Sequence, residues 1–175
     1  MRKIRWDAEK RDIVFRSLIG LAMLFGTVLL QTSFLSQIDI FGAVPDLLLI
    51  FVVALGLFDG LRVAAPAGVA AGVLCYYLGG GEPLGILFYA VVAILASRQY
   101  PTRNYQPYCI YMTVAGVLKI CWTLFATLVY SPVWRPFRVL WRSALPEFLG
   151  TVVFALALYV PLRVAARLLK RKSEM

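Results

Sequence analysis

The stretch Phe41–Gly60, FGAVPDLLLIFVVALGLFDG, decides how this chain folds. Pro45 suits the first turn of a helix, because proline has a fixed φ and that position needs no N–H donor. Asp46 follows at the end of the helix where the backbone dipole favours an anion. Uncharged, mostly large apolar residues then run from Leu47 to Phe58. The stretch predicts an apolar helix with a carboxylate at its entrance, and a charge at that place in a membrane indicates a specific role.

The composition is that of an integral membrane protein. Of the 175 residues, 61% are hydrophobic, whereas soluble domains are about 45–50% apolar. Because a membrane helix needs about 20 apolar residues, the chain is predicted to be one all-α transmembrane domain over residues 1–175. The six predicted spans are about 13–35, 45–59, 62–79, 84–99, 107–130 and 145–168. The second and fourth are short, so a re-entrant segment in place of one of them stays open.

The basic residues predict the orientation of the chain. The formal net charge is +9, from 18 Lys and Arg against 9 Asp and Glu. With the N-terminus inside, fourteen basic residues fall on the cytoplasmic side, and Lys119 lies within the membrane. The remaining three, Arg135, Arg138 and Arg142, fall outside. The positive-inside rule therefore predicts that both termini are cytoplasmic. Because the basic residues cluster at membrane boundaries, they favour contact with anionic lipids over nucleic acid.

The residue inventory excludes several kinds of site. The chain has no histidine, which removes histidine bases, Ser-His and Cys-His dyads and histidine metal ligands. Its cysteines, Cys75, Cys109 and Cys121, are isolated in apolar segments without C-x-x-C spacing. We therefore predict no catalytic, cofactor-binding or metal site.

Lys119 is the most unusual residue of the chain. It lies 12 residues from Pro107 and 11 from Tyr130 in span five, near the bilayer midplane. A lysine there costs about 2.5–3.5 kcal/mol unless it finds a partner or water, and its side chain is too short to reach either interface. Asp46 and Glu147 are the candidate partners. Glu147 follows Pro146 in what we predict to be a second proline–acid helix start.

Further polar positions lie towards the predicted outer side. Gln31, late in span one, is either an interhelical hydrogen-bonding group or an interfacial residue. A short interfacial helix is predicted over about 132–143, with Phe137 and Trp141 on its apolar face. Its opposite face carries Arg135, Arg138 and Arg142, which contact either lipid phosphates or a partner. Together with Pro45, Asp46, Lys119 and Glu147, these are the candidate partner-binding or structural polar positions.

Span three carries a face of small residues. Ala64, Gly68 and Gly72 repeat at four-residue spacing, which lets another helix backbone approach closely. The pattern leaves open whether that helix belongs to the same chain or to a homo-oligomer.

From Leu30 to Gly60, LQTSFLSQIDIFGAVPDLLLIFVVALGLFDG resembles the bacterial rod shape-determining protein family MreD. The resemblance rests on the Leu-Gln pair, the run Pro45–Ile50, the small-residue third helix and the turn GGGEPLG. It covers about residues 15–100, and beyond them only length and helix count agree. The family usually has an aspartate near the end of the third helix. Tyr76 and Tyr77 stand there, so either Glu82 substitutes for the aspartate or its role is absent.

The resemblance implies a fold similar to the substrate-binding subunits of energy-coupling-factor transporters, in the bacterial cytoplasmic membrane. It also implies a non-enzymatic scaffold of cell-wall elongation that helps to maintain rod shape. MreC would be its direct partner, in a complex with MreB, RodZ, RodA and a class B penicillin-binding protein. The alternative is a transporter subunit that binds a vitamin-like small molecule.

Overall fold

The computed structural model describes residues 2–33, 44–79, 83–101, 104–130 and 136–173, and these ranges are helical with no strand. The helices are α1 (Arg2–Ser33), α2 (Leu47–Asp59), α3 (Leu61–Gly79), α4 (Gly85–Ser97), α5 (Tyr105–Tyr130), α6 (Pro136–Val139) and α7 (Leu145–Ser173). A π-helical segment, Leu140–Ala144, joins α6 to α7. The all-α fold class predicted from the apolar segments is confirmed over the described residues.

Helix α2 lies at the centre of the bundle. Eleven of its 13 residues are buried, and it packs against α1, α3, α4, α5 and α7. A helix that is apolar on every side is either buried in protein or surrounded by lipid, and protein surrounds α2. Val52, Val53 and Leu57 are accordingly 0% exposed. The run from Leu47 to Phe58 thus supplies the core around which the other helices pack.

The start of α2 differs from the prediction. The helix begins at Leu47, so Pro45 precedes it instead of occupying its first turn, and Asp46 is the N-cap. The Asp46 side chain accepts a hydrogen bond from the Leu49 N–H at 3.0 Å. Aspartate is a preferred N-cap because its side chain satisfies a backbone N–H that the helix leaves free. This capping bond places the helix start after the carboxylate.

A single residue, Gly60, connects α2 to α3. Its φ of +81° lies in the left-handed region that favours glycine. Its N–H donates to the Leu55 carbonyl at 3.3 Å, and its own carbonyl accepts from the Ala64 N–H at 2.9 Å. The ring of Tyr100 lies 3.0 Å from the place where a Cβ would stand. The connection therefore ends one helix and begins the next within one residue.

Glycines allow α4 to pack closely against α2 and α3. A Cβ at Gly56 in α2 would meet the Ala96 Cβ at 2.6 Å, and one at Gly68 in α3 would meet the Tyr89 carbonyl oxygen at 2.7 Å. A Cβ at Gly72 would overlap the backbone of Ile86. The small-residue face of α3 therefore packs against a helix of the same chain, and Ala64 on this face is fully buried.

Pro146 and Glu147 lie in the first turn of α7, where the sequence predicts a helix start, but the chain before them is helical as well. The chain is helical without interruption from Pro136 to Ser173, and the Leu145 N–H donates to the Leu140 carbonyl in the wider π turn. In an α-helix, a proline ring clashes with the carbonyl four residues before it. A wider π turn relieves such a clash. Because Glu147 lies inside this helical run, no free helix end favours its charge.

The predicted interfacial helix is described only from residue 136 onward. There it is α6 with the π segment, continuous with α7 and not a separate helix. Phe137 and Trp141 are 79% and 70% exposed, so their predicted apolar face is not covered by the protein.

Among the described residues, three apolar segments are long enough to cross a membrane: Leu61–Leu78, Tyr105–Tyr130 and Phe137–Val164. In the second and third of these segments, only 22% of the residues in the most apolar 18-residue stretch are buried. Apolar side chains therefore remain for contact with lipid. Ser17–Ser33, Leu47–Asp59 and Gly85–Ser97 are shorter apolar helices. The chain is thus a helical protein of membrane character.

Candidate functional site: a buried polar cluster beside a cavity

Asp46 is the centre of a polar cluster in the apolar core. Asp46 is only 2% exposed. Oδ1 caps α2 through the Leu49 N–H, and Oδ2 accepts from the Tyr89 hydroxyl at 2.7 Å and from Lys119 Nζ at 2.8 Å. The Asp46 N–H donates to Thr151 Oγ1 at 2.9 Å. These bonds join α2 to α4, α5 and α7, so every polar atom of this side chain is used inside the bundle.

Lys119 is paired, as the sequence predicts, and the structure selects Asp46 as the nearer of the two candidates. Nζ is 2.8 Å from Asp46 Oδ2 and 3.7 Å from Glu147 Oε1. It lies 3.4 Å from the Tyr89 hydroxyl and 5.5 Å from the centre of the Phe88 ring. A cation above an aromatic face is stabilised by the ring quadrupole. The ammonium is therefore surrounded by anionic, hydroxyl and aromatic groups.

Thr151 connects α7 to the start of α2. Its hydroxyl donates to the Glu147 carbonyl at 2.7 Å and accepts from the Asp46 N–H. Close to this bond, the Pro45 ring packs against Gly150, where a Cβ would lie 3.3 Å away. Pro45 and Asp46 are both buried, and their contacts are with other parts of the same chain.

Gln31 forms the interhelical hydrogen bond that was one of its two predicted roles. Its Oε1 accepts from the Leu48 N–H at 3.2 Å. The first N–H groups of a helix have no partner within it. In α2, the side chains of Gln31 and Asp46 supply partners for the N–H groups of Leu48 and Leu49. The entrance of α2 is thus capped from its own sequence and from α1.

A cavity of about 310 Å³ lies beside the cluster, between α3, α4, α5 and α7. Aromatic residues Phe88 and Trp122 form part of its wall. Lys119 and Glu147 border it, and their side chains retain 22% and 21% exposure. The cluster therefore has one face sealed in the core, at Asp46, and one face open to a cavity, at Glu147.

The remaining candidates that the structure describes do not join the cluster. Arg138 and Arg142 are exposed on α6 and the π segment. Arg135 and Glu82 lie outside the described residues. Tyr76 and Tyr77 are exposed and pack edge to face with each other. Of the predicted polar positions, the structure brings together Pro45, Asp46, Lys119 and Glu147, with Gln31 at the same helix entrance.

Two members of the cluster, Tyr89 and Thr151, were not predicted. Tyr89 is the only side chain with a strong polar group between Gly85 and Ala96, so the argument applied to Lys119 could also have identified it. Thr151 gave no such signal, because a threonine in a membrane helix commonly bonds to its own backbone. Its role depends on where α7 places it.

The arrangement is suited to holding helices together and to presenting polar groups to a cavity. No group of three or more Cys, Asp or Glu in the described residues could hold a metal ion. Comparison with protein-family models, curated proteins and solved structures finds no match.

Proposed function

We propose that this chain is a non-enzymatic scaffold of the bacterial cytoplasmic membrane that resembles MreD and holds the single-pass partner MreC. The observation that carries the proposal is the use of Asp46. Its carboxylate is bonded to Leu49, Tyr89 and Lys119 and is closed to solvent. A charge used in this way fixes the positions of helices and is not available to a substrate.

We further propose six spans with both termini in the cytoplasm. The charge bias supports this orientation. Helices α2 and α4 have 13 residues each and so are about 20 Å long, less than the roughly 30 Å of the hydrocarbon core. Because α2 is enclosed by five other helices, its ends meet protein instead of lipid, and a short helix is tolerated there. The scaffold would act with MreB, RodZ, RodA and a class B penicillin-binding protein in cell-wall elongation.

Among the positions predicted to lie on the outer side, the exposed ones are the best candidates for contact with MreC. Phe137, Arg138, Trp141 and Arg142 project from the α6–π segment and are exposed. We call these four residues the outer patch. Aromatic residues and arginine dominate the energetics of protein interfaces. Since Asp46 is buried, this patch is where substitutions can weaken partner binding without disturbing the core.

The test is capture of MreC on the purified, tagged chain from co-expressing cells. The double variant Trp141→Ala with Arg138→Glu should lower the MreC yield at least about tenfold, which corresponds to about 1.4 kcal/mol. Arg98→Glu, at an exposed arginine at the end of α4, is the matched control and should retain the wild-type yield. If the wild-type chain captures no MreC, the scaffold proposal is wrong. If the double variant keeps the full yield, the outer patch is not the contact.

A second candidate function is a transporter subunit that binds a small molecule. The cavity of about 310 Å³ beside Lys119 and Glu147 favours it, since ligand sites in proteins begin at about this volume. Co-purification of an energising partner protein in place of MreC would decide for this function.

A further inference from the structure

The buried cluster contains more acidic than basic groups. Asp46 and Glu147 each supply a carboxylate, and Lys119 supplies the one ammonium near them. Asp46 is fully hydrogen-bonded. Glu147 Oε1 lies 3.7 Å from Lys119 Nζ, a longer contact than the 2.8 Å of Asp46 Oδ2. The less closely paired carboxylate therefore lies at the cavity face of the cluster, on Glu147.

The hydroxyl and carboxylate oxygens that line the cavity can accept hydrogen bonds. Lys119 directs its ammonium at Asp46, Tyr89 and Glu147, and the Tyr89 hydroxyl proton goes to Asp46. The Thr123 hydroxyl donates to the Lys119 carbonyl at 2.9 Å, and the Thr127 hydroxyl donates to the Thr123 carbonyl at 2.7 Å. Both threonines line the cavity with oxygen lone pairs that remain able to accept. A ligand that matches this wall brings N–H donors and a positive charge.

The apolar part of the wall also suits a cation. Trp122 and Phe88 line the same cavity, with ring centres 5.7 Å apart. Aromatic faces attract organic cations, and they cover the apolar stem that carries such a group. An anion would have its charge opposed by Glu147, and the nearby ammonium of Lys119 is already bonded to Asp46.

We propose that the cavity binds a primary ammonium group, carried either on a short apolar stem or by a lipid. The Glu147 carboxylate and the Thr127 hydroxyl accept hydrogen bonds from the N–H groups of this ammonium, and Trp122 packs against the stem. The free amine and the headgroup of an aminophospholipid share this chemistry. The inference deepens the second candidate function and does not depend on MreC, because a scaffold can hold a ligand without losing its partner.

The test uses the purified full chain in detergent with n-butylammonium as the probe. We expect a saturable change in tryptophan fluorescence and a rise in unfolding temperature. Binding should be at least about tenfold tighter than that of n-butanol, which lacks the charge, and of n-butyltrimethylammonium, which lacks N–H donors. Equal responses to all three compounds, or no saturable response, would overturn the proposal.

Variants locate the site. Glu147→Gln keeps the side-chain size and should weaken n-butylammonium binding at least about tenfold, while MreC capture is unchanged. Thr127→Val removes one acceptor and should weaken binding by a few-fold, about the value of one neutral hydrogen bond. Thr113→Val is its matched control, because Thr113 is exposed on the same helix and bonds to its own backbone at Cys109. Unaltered binding by Glu147→Gln would refute the assignment.

Nanodiscs distinguish the two sources of the ammonium group. If a lipid headgroup occupies the cavity, phosphatidylethanolamine discs should block n-butylammonium binding and phosphatidylcholine discs should not. If a free amine is the ligand, the probe should bind equally in both. Each result supports the site and names its source, whereas failure to bind in both kinds of disc overturns it.

Discussion

The carboxylate of Asp46 and its backbone N–H are bonded to three helices besides α2. Tyr89 belongs to α4, Lys119 to α5 and Thr151 to α7. A buried ion pair adds little net stability compared with well-packed apolar residues, but loss of one member is expensive because the other charge is left unpaired. Replacement of Asp46 and replacement of Lys119 should therefore lower the free energy of unfolding by different amounts.

Asp46→Ala should lower the free energy of unfolding by about 3–5 kcal/mol, because it strands Lys119 and removes the cap of α2. Lys119→Met should cost less, since Asp46 keeps the donors of Leu49 and Tyr89 and the new side chain is apolar. Equilibrium unfolding of the purified chain in mixed micelles measures both values.

The double variant should cost less than the sum of the two single variants, because the charges contact each other. Thr113→Val, at an exposed position on α5, serves as the control and should leave the free energy of unfolding unchanged. Equal, small losses for Asp46→Ala and Lys119→Met would contradict a structural ion pair.

Between elements, α4 packs closely against α2 and α3. This close packing depends on the absence of side chains at Gly56, Gly68 and Gly72. In a membrane, where apolar burial gives no preference for one helix over lipid, close packing of this kind supplies much of the association energy. The position of α4, and with it the position of Tyr89 beside Asp46, is therefore set by glycines.

Gly72→Ala should destabilise the chain by about 1–3 kcal/mol, because its methyl group would overlap the Ile86 backbone, which can only yield by shifting α4. Gly26→Ala in α1 is the matched control, since a Cβ there meets nothing within 4 Å. It should be neutral or stabilising by up to about 1 kcal/mol, the usual gain for alanine over glycine in a helix. Thermal unfolding that ranks the two variants equally would contradict this account of the α3–α4 contact.

For the whole molecule, the distribution of apolar surface matches a bundle in lipid. The apolar side chains on the outer faces of α1, α5 and α7 are exposed, including Leu18, Val117 and Val153. The residues of α2 are enclosed. Such an arrangement is stable only where hydrocarbon takes the place of water around the outer helices.

The proposed orientation predicts which ends of the chain are accessible. In a background without the three native cysteines, single cysteines at Arg5 and Lys172 should be shielded from an impermeant thiol reagent in intact cells. A cysteine at Gly80 should be labelled, because it lies on the opposite side in the six-span arrangement. Permeabilised cells provide the control, in which all three positions should react. Labelling of either terminus in intact cells would contradict the orientation.

The sequence by itself determined the helical class and the need of Lys119 for a partner. These follow from local properties: long apolar segments form helices in a membrane, and a charge in an apolar segment must be compensated. That other helices enclose the Leu47–Phe58 run was decided by the tertiary structure. The bounds of α3, α4 and α5 differ from the predicted spans by at most two residues, whereas α1 begins at Arg2 and α7 ends at Ser173, both beyond the apolar segments.

Only the tertiary structure decided which groups meet. Lys119 pairs with Asp46 across 73 residues of sequence, and Asp46 bonds to Thr151 across 105. Tyr89 enters the cluster because glycines in α3 bring α4 close, and α7, which packs against α5, places Glu147 at the cavity. Periodicity along the chain reports the environment of each segment, but the choice between two possible partners depends on how distant segments pack against one another.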